Sequence, residues 1–224
     1  MNNFRLIIGD CRHNLKTVEK VDYIFTGPPD FDEIGLDPKS KSDYTKYFDL
    51  LTEAFDLMML TSPVITIAIT DRKRDGRIIS KHAFLIDLFR TRMWDLLSHK
   101  IWIKTTKRNL YRLTYTHIMS FTNQKITQNH PDMYEHDVFN TKETGWRGYE
   151  YGINLEVVEP FIWNFTNEGE IVLDPFLGSG TTAVACLQNN RKCIGIELTE
   201  KAGEIAKRRV ADQGGVPRAR KFFE

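Results

Sequence analysis

The chain has 224 residues, of which 41% are hydrophobic and 27% charged, and its formal net charge is +1 at pH 7. This length and apolar content suit one globular domain over residues 1–224 with a substantial core. No apolar signal stands at the N-terminus and no run of about eighteen apolar residues occurs, so we expect a soluble, unexported protein in the cytoplasm of a prokaryotic or phage-infected cell. The three cysteines form no C-x-x-C pair, which favours a reducing compartment and gives no indication of a zinc site.

Apolar runs and amphipathic stretches alternate along most of the chain. Their spacing predicts, in chain order, a strand at 4–8, a short helix at 14–18, a strand at 22–26, a loop at 31–41, a helix at 43–60, a strand at 63–70, a turn at 71–76, a helix at 79–94, paired strands at 98–104 and 115–122, a helix at 154–165, a strand at 171–174, a helix at 180–190, a strand at 192–197 and a helix at 200–212. The remaining stretch at 123–151 is polar and rich in turn formers, and the basic tail at 213–224 is predicted to be loose. This alternation predicts an α/β fold with a doubly wound, largely parallel sheet and helices on both of its faces.

A glycine-rich loop, Asp174-Pro-Phe-Leu-Gly-Ser-Gly-Thr-Thr182, joins a predicted strand to a predicted helix. Gly178 and Gly180 let the backbone approach a ligand closely, and the first N–H groups of the helix face that ligand. Glu197 ends the next strand, where a carboxylate can accept hydrogen bonds from ribose hydroxyls. The sequence therefore predicts a nucleotide-like cofactor here, although an ordinary tight turn of an α/β core has the same pattern.

The same loop resembles the S-adenosylmethionine-binding motif of the DNA amino-methyltransferases, which methylate the exocyclic nitrogen of adenine or cytosine. The resemblance implies a Rossmann-like methyltransferase fold in which the loop wraps the methionine end of the cofactor and Glu197 holds its ribose. The loop residues that it implies as cofactor contacts are Asp174, Phe176, Gly178, Ser179, Gly180 and Thr181.

Two N-terminal segments resemble the same family. Asp10 and Cys11 stand in a segment that resembles the one with which the family presents an acid to the adenine of the cofactor, and Thr26 is taken as a further implied cofactor contact. Pro28-Pro29 stands where the family carries its catalytic [D/N/S]-P-P-[Y/F/W]. A catalytic motif that precedes the cofactor loop is the β-ordered, permuted arrangement. The resemblance covers most of residues 4–212, with the target-recognition region reduced to about 123–151.

In the family, a base is flipped out of double-stranded DNA, stacked on the aromatic residue of the motif, and held through its amine by the first motif residue and a main-chain carbonyl. The two prolines fix that carbonyl, since their φ angles are locked. The implied catalytic residues here are Gly27, Pro28, Pro29, Asp30 and Phe31.

This motif departs from the pattern, because Gly27 has no side-chain acceptor and Asp30 cannot stack a base. One interpretation is compensation, with Phe31 as the stacking platform and Asp30 or Asp32 as the acceptor. A modified base, RNA or another substrate is a second interpretation. A degenerate, non-catalytic module that binds cofactor or nucleic acid is a third.

Twelve Lys and Arg residues stand against four Asp residues between positions 71 and 112, a stripe that suits DNA phosphates as well as a solvated helix face. The residues predicted to contact nucleic acid are Lys104, Lys107, Arg108, Arg112, Trp146 and Arg147. His117 is interpreted as a structural histidine. The histidines and aspartates at 130–137 match no zinc spacing, so no metal is expected. A homodimer is left open.

Overall fold

The computed structural model describes residues 3–104, 113–126, 128–129, 137–141 and 152–213. The strands in these ranges are β1 (Phe4–Ile8), β2 (Tyr23–Thr26), β3 (Val64–Ile69), β4 (Arg72–Arg74), β5 (Arg77–Ile79), β6 (Asp95–Ile103), β7 (Tyr115–Thr122), β8 (Val138–Asn140), β9 (Ile171–Asp174) and β10 (Lys192–Glu197). The helices are α1 (Cys11–Asn14), α2 (Lys41–Thr61), α3 (Lys81–Thr91), α4 (Leu155–Phe165), α5 (Thr181–Gln188) and α6 (Glu200–Gln213), and a 3₁₀ turn covers Phe31–Ile34.

Eight of the strands form one sheet in the order β1-β10-β9-β2-β3-β7-β6-β8. Every neighbouring pair is parallel except the two pairs of β7, which runs antiparallel to β3 and to β6. The predicted α/β fold with a largely parallel sheet is therefore confirmed. The N-terminal strands β1 and β2 flank the C-terminal strands β9 and β10, so the two ends of the sequence build one half of the sheet together.

Helices cover both faces of this sheet, since successive side chains of a strand point to opposite sides. On one face α1, α2 and α3 pack on residues such as Ile24 and Ile65. On the other face α4, α5 and α6 pack on residues such as Tyr23 and Phe25. Burial on both sides explains why β2 and β3 are apolar along most of their length and show no alternation with polar residues.

The parallel strands end at one edge of the sheet. In the strand register, Ile8 of β1 lies beside Glu197 of β10, and Gly195 of β10 lies beside Asp174 of β9. β9 pairs with β10 on one side and with β2 on the other, so Thr26, the last residue of β2, lies near Asp174. The carboxyl ends of these strands therefore lie at one edge, which is where ligands of doubly wound sheets bind.

Two short elements differ from the sequence prediction. The first helix begins at Cys11, before the predicted 14–18, because the Asp10 carboxylate accepts a hydrogen bond from the Arg12 N–H at 2.8 Å and caps it there. The predicted polar turn after β3 is a β-hairpin, β4–β5, whose two turn residues Asp75 and Gly76 have φ of 46° and 75°. Positive φ at both positions is the geometry that tight hairpins need, and the Asp-Gly pair is its sequence signal.

The region between β7 and α4 is described only in part. It contributes β8, a short strand that pairs parallel to β6 at the edge of the sheet, although the sequence shows no period there. The predicted loose tail lies beyond residue 213, outside the described residues. Among those that are described, no helix has both the length and the apolar content needed to cross a membrane.

Candidate functional site

Two adjoining cavities open at the carboxyl edge of the sheet. The first, about 430 Å³, has walls that include Gly27, Pro28 and Asp30, and we call it the Pro-Pro cavity. The second, about 460 Å³, has walls that include Asp10 and Glu197, and we call it the Glu197 cavity. Gly27, Phe176 and Gly178 line both. The predicted catalytic corner and the predicted cofactor loop therefore meet at one crevice, although they stand at opposite ends of the sequence.

The buried carboxylate of Asp174 ties the glycine loop to the rest of the sheet. Its Oδ1 accepts hydrogen bonds from Thr26 Oγ1 at 2.7 Å and from the Phe176 N–H at 3.1 Å. Its Oδ2 accepts a hydrogen bond from Thr182 Oγ1 at 2.6 Å. Burial raises the pKa of Asp174 to about 6, while these three donors act in the opposite direction. Asp174 thus holds the start and the end of the loop, and Thr26 joins the loop to β2.

Glu197 stands at the end of β10, as predicted, and its carboxylate faces the glycine loop. The Gly178 N–H donates to Glu197 Oε2 at 3.0 Å, and the Thr199 N–H donates to Glu197 Oε1 at 3.1 Å. Gly180 has φ of 80°, and a Cβ on it would lie 3.2 Å from the Cα of Ala206 on α6. The loop therefore packs so closely on α6 that this position has no room for a side chain.

Arg209 on α6 fixes the same loop, and sequence reasoning missed it. Its buried guanidinium donates to Ser179 Oγ at 2.9 Å and to Thr181 Oγ1 at 2.7 Å. Burial lowers the pKa of Arg209. A sequence signal existed, because Arg209 follows Ala202 and Ala206 at helical spacing on the apolar face of α6. An arginine on such a face needs buried partners, and the loop hydroxyls supply them.

Asp10 and Cys11 line the Glu197 cavity. The Asp10 carboxylate pairs with the Arg12 guanidinium, with Oδ2 and Nη2 2.7 Å apart, and the hydrogen bond from Arg12 lowers the pKa of Asp10. Burial raises the pKa of the Cys11 thiol to about 12. Asp10 is therefore an ionised acceptor at this cavity, whereas Cys11 is an uncharged wall residue.

We call residues 27–30, which follow β2, the Pro-Pro corner, and Tyr47 of α2 stabilises it. Its hydroxyl donates to the Pro29 carbonyl at 2.9 Å, and its ring stacks on Phe31 with centroids 3.9 Å apart. Phe31 is fully buried in this contact. The expectation that Phe31 supplies a stacking platform for a base is therefore wrong, because its ring is already packed against α2.

Asp30 stabilises the corner through buried ion pairs with Lys81 and Arg72, and we call this group of three residues the Asp30 anchor. Its Oδ1 accepts hydrogen bonds from the Phe31 N–H at 2.9 Å and from Lys81 Nζ at 3.0 Å, and its Oδ2 accepts from Arg72 Nη1 at 3.0 Å. Arg72 also donates to Asp32 Oδ1 at 3.1 Å. Burial opposes the charge of Asp30, but Lys81 and Arg72 outweigh it and lower the pKa of the carboxyl. Asp30 or Asp32 was expected to replace the missing amine acceptor, but Asp30 pairs with Arg72 and Lys81, and Asp32 pairs with Arg72.

Of the residues predicted to contact DNA, Lys104 belongs to the described part of the chain. Lys104 is buried in the wall of the Pro-Pro cavity, and its Nζ donates to Thr70 Oγ1 at 2.9 Å. Its ammonium therefore lies at the cavity wall, and the contact of Lys104 with nucleic acid stays a prediction. The others, Lys107, Arg108, Arg112, Trp146 and Arg147, lie outside the described residues.

A histidine cluster lies beside the Asp30 anchor. Asp71 Oδ2 lies 2.6 Å from His82 Nδ1, and the rings of His82 and His117 stack with centroids 3.9 Å apart. Ligand atoms of these three residues lie within 4.8 Å of one another, so they could hold a metal ion. Imidazole lone pairs lie in the ring plane, and two stacked rings cannot both address one ion, so coordination would require one ring to turn.

We expect the Asp30→Asn substitution to lower the free energy of unfolding by about 3–5 kcal/mol, because it leaves buried cations without a counter-charge. Urea unfolding of the purified variant measures this. Adding Lys81→Met should recover part of the loss. Asp87→Asn, which breaks the exposed pair with Arg90, is the matched control and should change little. Equal effects of Asp30→Asn and Asp87→Asn would contradict the anchoring role.

The His117 ring predicts a loss of stability in acid. Burial, and next His82, lower the pKa of His117 to about 4, whereas an unfolded histidine titrates near about 6.5. The contribution of the neutral His117 ring to the free energy of unfolding is therefore complete above about pH 6.5, and it is lost as pH falls toward about 4. His117→Gln should flatten the unfolding free energy over this window, and His13→Gln, at an exposed histidine, should not. A parallel pH profile for wild type and His117→Gln would refute this.

Comparison with known proteins matches the chain to one family. A family model described as DNA methylase, of the N6/N4 type, matches residues 21–208. YubD of Escherichia coli (strain K12), which is named as a methylase, is 28% identical over 214 residues, covering 92% of this chain and 90% of YubD.

Solved structures agree in fold. TTHA0409 of Thermus thermophilus, named as a DNA modification methylase and solved with S-adenosyl-L-methionine, superposes with a TM-score of 0.75 at 24% identity, covering 95% of this chain and 96% of that one. The cytosine-N4-specific PvuII DNA methyltransferase gives a TM-score of 0.78 at 15% identity, over 93% of this chain and 88% of that one. The family match, which spans both the Pro-Pro corner and the glycine loop, means that this chain belongs to the N6/N4 DNA methylase family.

Proposed function

We propose that this chain transfers a methyl group from S-adenosyl-L-methionine to an exocyclic amine of a base in DNA, either adenine N6 or cytosine N4. The proposal includes a base that leaves the duplex and enters the Pro-Pro cavity. The observation that carries it is the hydrogen bond from Thr26 Oγ1 to Asp174 Oδ1, which joins the strand before the Pro-Pro corner to the start of the glycine loop. The proposed sites of the methyl donor and of the base that accepts the methyl group are thereby held side by side.

The Glu197 cavity has the donors and acceptors that suit S-adenosyl-L-methionine. The carboxylates of Glu197 and Asp10 line it and can accept hydrogen bonds from ribose hydroxyls and from an adenine amine. Gly178 borders both cavities, so we assign the methionine end of the cofactor to the loop around it. When bound, the cofactor supplies an electrophilic methyl group on a positively charged sulfur.

At the Pro-Pro corner we assign main-chain carbonyls as the acceptors for the target amine. The carbonyl of Pro29 is already bonded to Tyr47, which leaves the Pro28 carbonyl as the acceptor that we favour. Its direction is fixed, since proline locks φ and the Asp30 anchor holds the residue that follows the two prolines. A carbonyl that accepts from the amine orients the nitrogen lone pair, and such alignment supplies much of the rate enhancement in group transfer.

Gly27 gives the corner extra room in place of an acceptor side chain. A Cβ at this position would lie 3.3 Å from Ile153 Cδ1 and 3.6 Å from the Ala68 carbonyl oxygen. The same wall includes Trp102, and together these apolar groups can cover a base and keep water out. We therefore infer that apolar walls take over the role that stacking on Phe31 was expected to fill.

Arg209→Met should weaken S-adenosyl-L-methionine binding about tenfold, equivalent to about 1.4 kcal/mol. The substitution keeps the apolar stem but removes the donors that hold the Ser179 and Thr181 side chains of the loop. Isothermal titration calorimetry measures the dissociation constant. Arg208→Met, at an exposed position of the same helix, is the matched control and should bind like wild type. An unchanged affinity in folded Arg209→Met protein would argue against the positioning role.

The transfer itself is tested with methyl-deuterated cofactor and DNA, followed by mass spectrometry of the nucleosides. We expect deuterated N6-methyladenine or N4-methylcytosine with wild type and neither with Gly180→Val, whose side chain collides with α6. Gly27→Ser adds a hydroxyl acceptor at modest steric cost and should keep or raise the rate. Label on no DNA base, modified bases included, would refute the proposal. Label that appears with Gly27→Ser but not with wild type would show that the wild-type chain is a non-catalytic module.

A further inference from the structure

The β4–β5 hairpin stands apart from the main sheet, beside the Pro-Pro cavity. It is a two-stranded sheet of its own, with Arg74 directly opposite Arg77 next to the turn. Its first residue, Arg72, is buried, whereas Arg77 and Ile78 are exposed. The hairpin therefore has a fixed base and a solvent-facing tip.

The tip concentrates positive charge. Arg74 donates to the Lys39 carbonyl at 3.0 Å, which brings the loop that carries Lys39 against the hairpin. Asp75 lies 3.5 Å from Lys39 Nζ and 3.9 Å from Arg74 Nε, so one carboxylate is shared by two cations. Arg77 adds a third cation, and its guanidinium makes no ion pair within the part of the chain that the structure describes. Like charges directly opposite each other on a hairpin are destabilising, and an anion at the tip would relieve this repulsion.

The outer face of the hairpin is different. Lys73 and Ile78 are opposite each other in the register and point away from the Arg74–Arg77 face. Ile78 is 54% exposed, so this face presents an apolar side chain to solvent. A cationic face with an apolar edge is a surface suited to sugar–phosphate backbone.

The base of the hairpin is clamped to the catalytic corner at both ends. Arg72, at the start of β4, donates to Asp30 Oδ2 at 3.0 Å. Lys81, two residues after β5, donates to Asp30 Oδ1 at 3.0 Å. Because Asp30 and Lys81 both line the Pro-Pro cavity, the base of the hairpin is anchored at the wall of the cavity that a nucleobase would enter.

We propose that the β4–β5 hairpin binds the phosphate backbone of duplex DNA beside the base that enters the Pro-Pro cavity, with Lys39, Arg74 and Arg77 contacting phosphates. This inference rests on the proposed function. Duplex DNA presents one charge about every 1.7 Å along its axis, and a two-stranded ribbon has the width to follow its major groove. The buried Asp30 anchor then has a second purpose, since it holds the DNA-binding hairpin in register with the catalytic corner.

The test compares two charge-removing pairs by fluorescence anisotropy on a duplex of about 20 base pairs, between about 50 and 200 mM KCl. The hairpin pair is Arg74→Ala with Arg77→Ala. The control pair is Lys207→Ala with Arg208→Ala, at exposed positions of α6, which packs on the opposite face of the sheet from Ile79 of the hairpin. Each phosphate contact contributes about 0.9 to the slope of log affinity against log salt, so the hairpin pair should reduce the slope by about 1.8. The control pair should leave it unchanged.

Several outcomes would overturn the inference. An unchanged slope for the hairpin pair, or an equal reduction for the control pair, would show that the tip does not bind phosphate. Tighter binding to a duplex RNA of the same length, with the same loss in the hairpin pair, would show that DNA is the wrong partner. Cofactor affinity of the hairpin pair should equal that of wild type, which verifies the fold.

Anisotropy needs no methyl transfer, so the two proposals fail separately. Loss of binding in the hairpin pair with no methyl transfer by wild type would remove the proposed function and leave the hairpin as a DNA-binding surface. Methyl transfer by wild type with unaltered DNA binding by the hairpin pair would keep the proposed function and remove the hairpin as a DNA-binding surface.

Discussion

The buried hydrogen bond between Asp174 and Thr26 is the interaction on which the site depends. A carboxylate without water is costly, and this one is stabilised by two hydroxyls and a backbone N–H. One hydroxyl comes from β2 and the other from α5, so satisfying the charge also fixes β2, β9 and α5 relative to one another. The Pro-Pro corner starts directly after Thr26, and the glycine loop starts directly after Asp174. The pairing of β2 with β9 brings them close, and this buried polar network holds them there.

The Asp30 anchor gives a physical account of the unusual Gly-Pro-Pro-Asp motif. The position that carries an aromatic residue in the family pattern carries here an acid that binds Arg72 and Lys81. Arg72 begins β4 and Lys81 follows β5 by two residues, so the exchange of residue type couples the corner to the β4–β5 hairpin. A glycine at position 27 keeps the corner open, because Ile153 and Ala68 leave little more than the space of a methyl group beside it.

Two polar networks therefore support the crevice from opposite sides. Arg209 and Asp174 stabilise the glycine loop, and Asp30 with Tyr47 stabilises the Pro-Pro corner. Each network uses side chains from a helix on one face of the sheet, α6 for the loop and α2 for the corner. Charged groups that are paired and buried in this way hold one geometry, since a shifted backbone would leave a charge without its partner.

Much of the fold was predictable from the sequence. Strands 171–174 and 192–197 were predicted at their observed bounds, because a strand buried on both faces is a short apolar run between turn formers. The glycine loop and Glu197 were also predictable, since a tight turn between strand and helix demands particular residue types. The hairpin and the edge strand β8 were missed, because short strands carry too few residues for a period to emerge.

Only the tertiary structure decided what the remaining site residues do. The sequence places Phe31 beside the corner, but packing against Tyr47 removes it from the cavity. It likewise cannot show that Lys104 turns inward to Thr70, or that Arg209 reaches a loop 28 residues earlier. Local sequence thus determined where the backbone turns and which motifs exist. The direction of each long polar side chain depends on which partner is buried nearby, and that is a property of the folded chain alone.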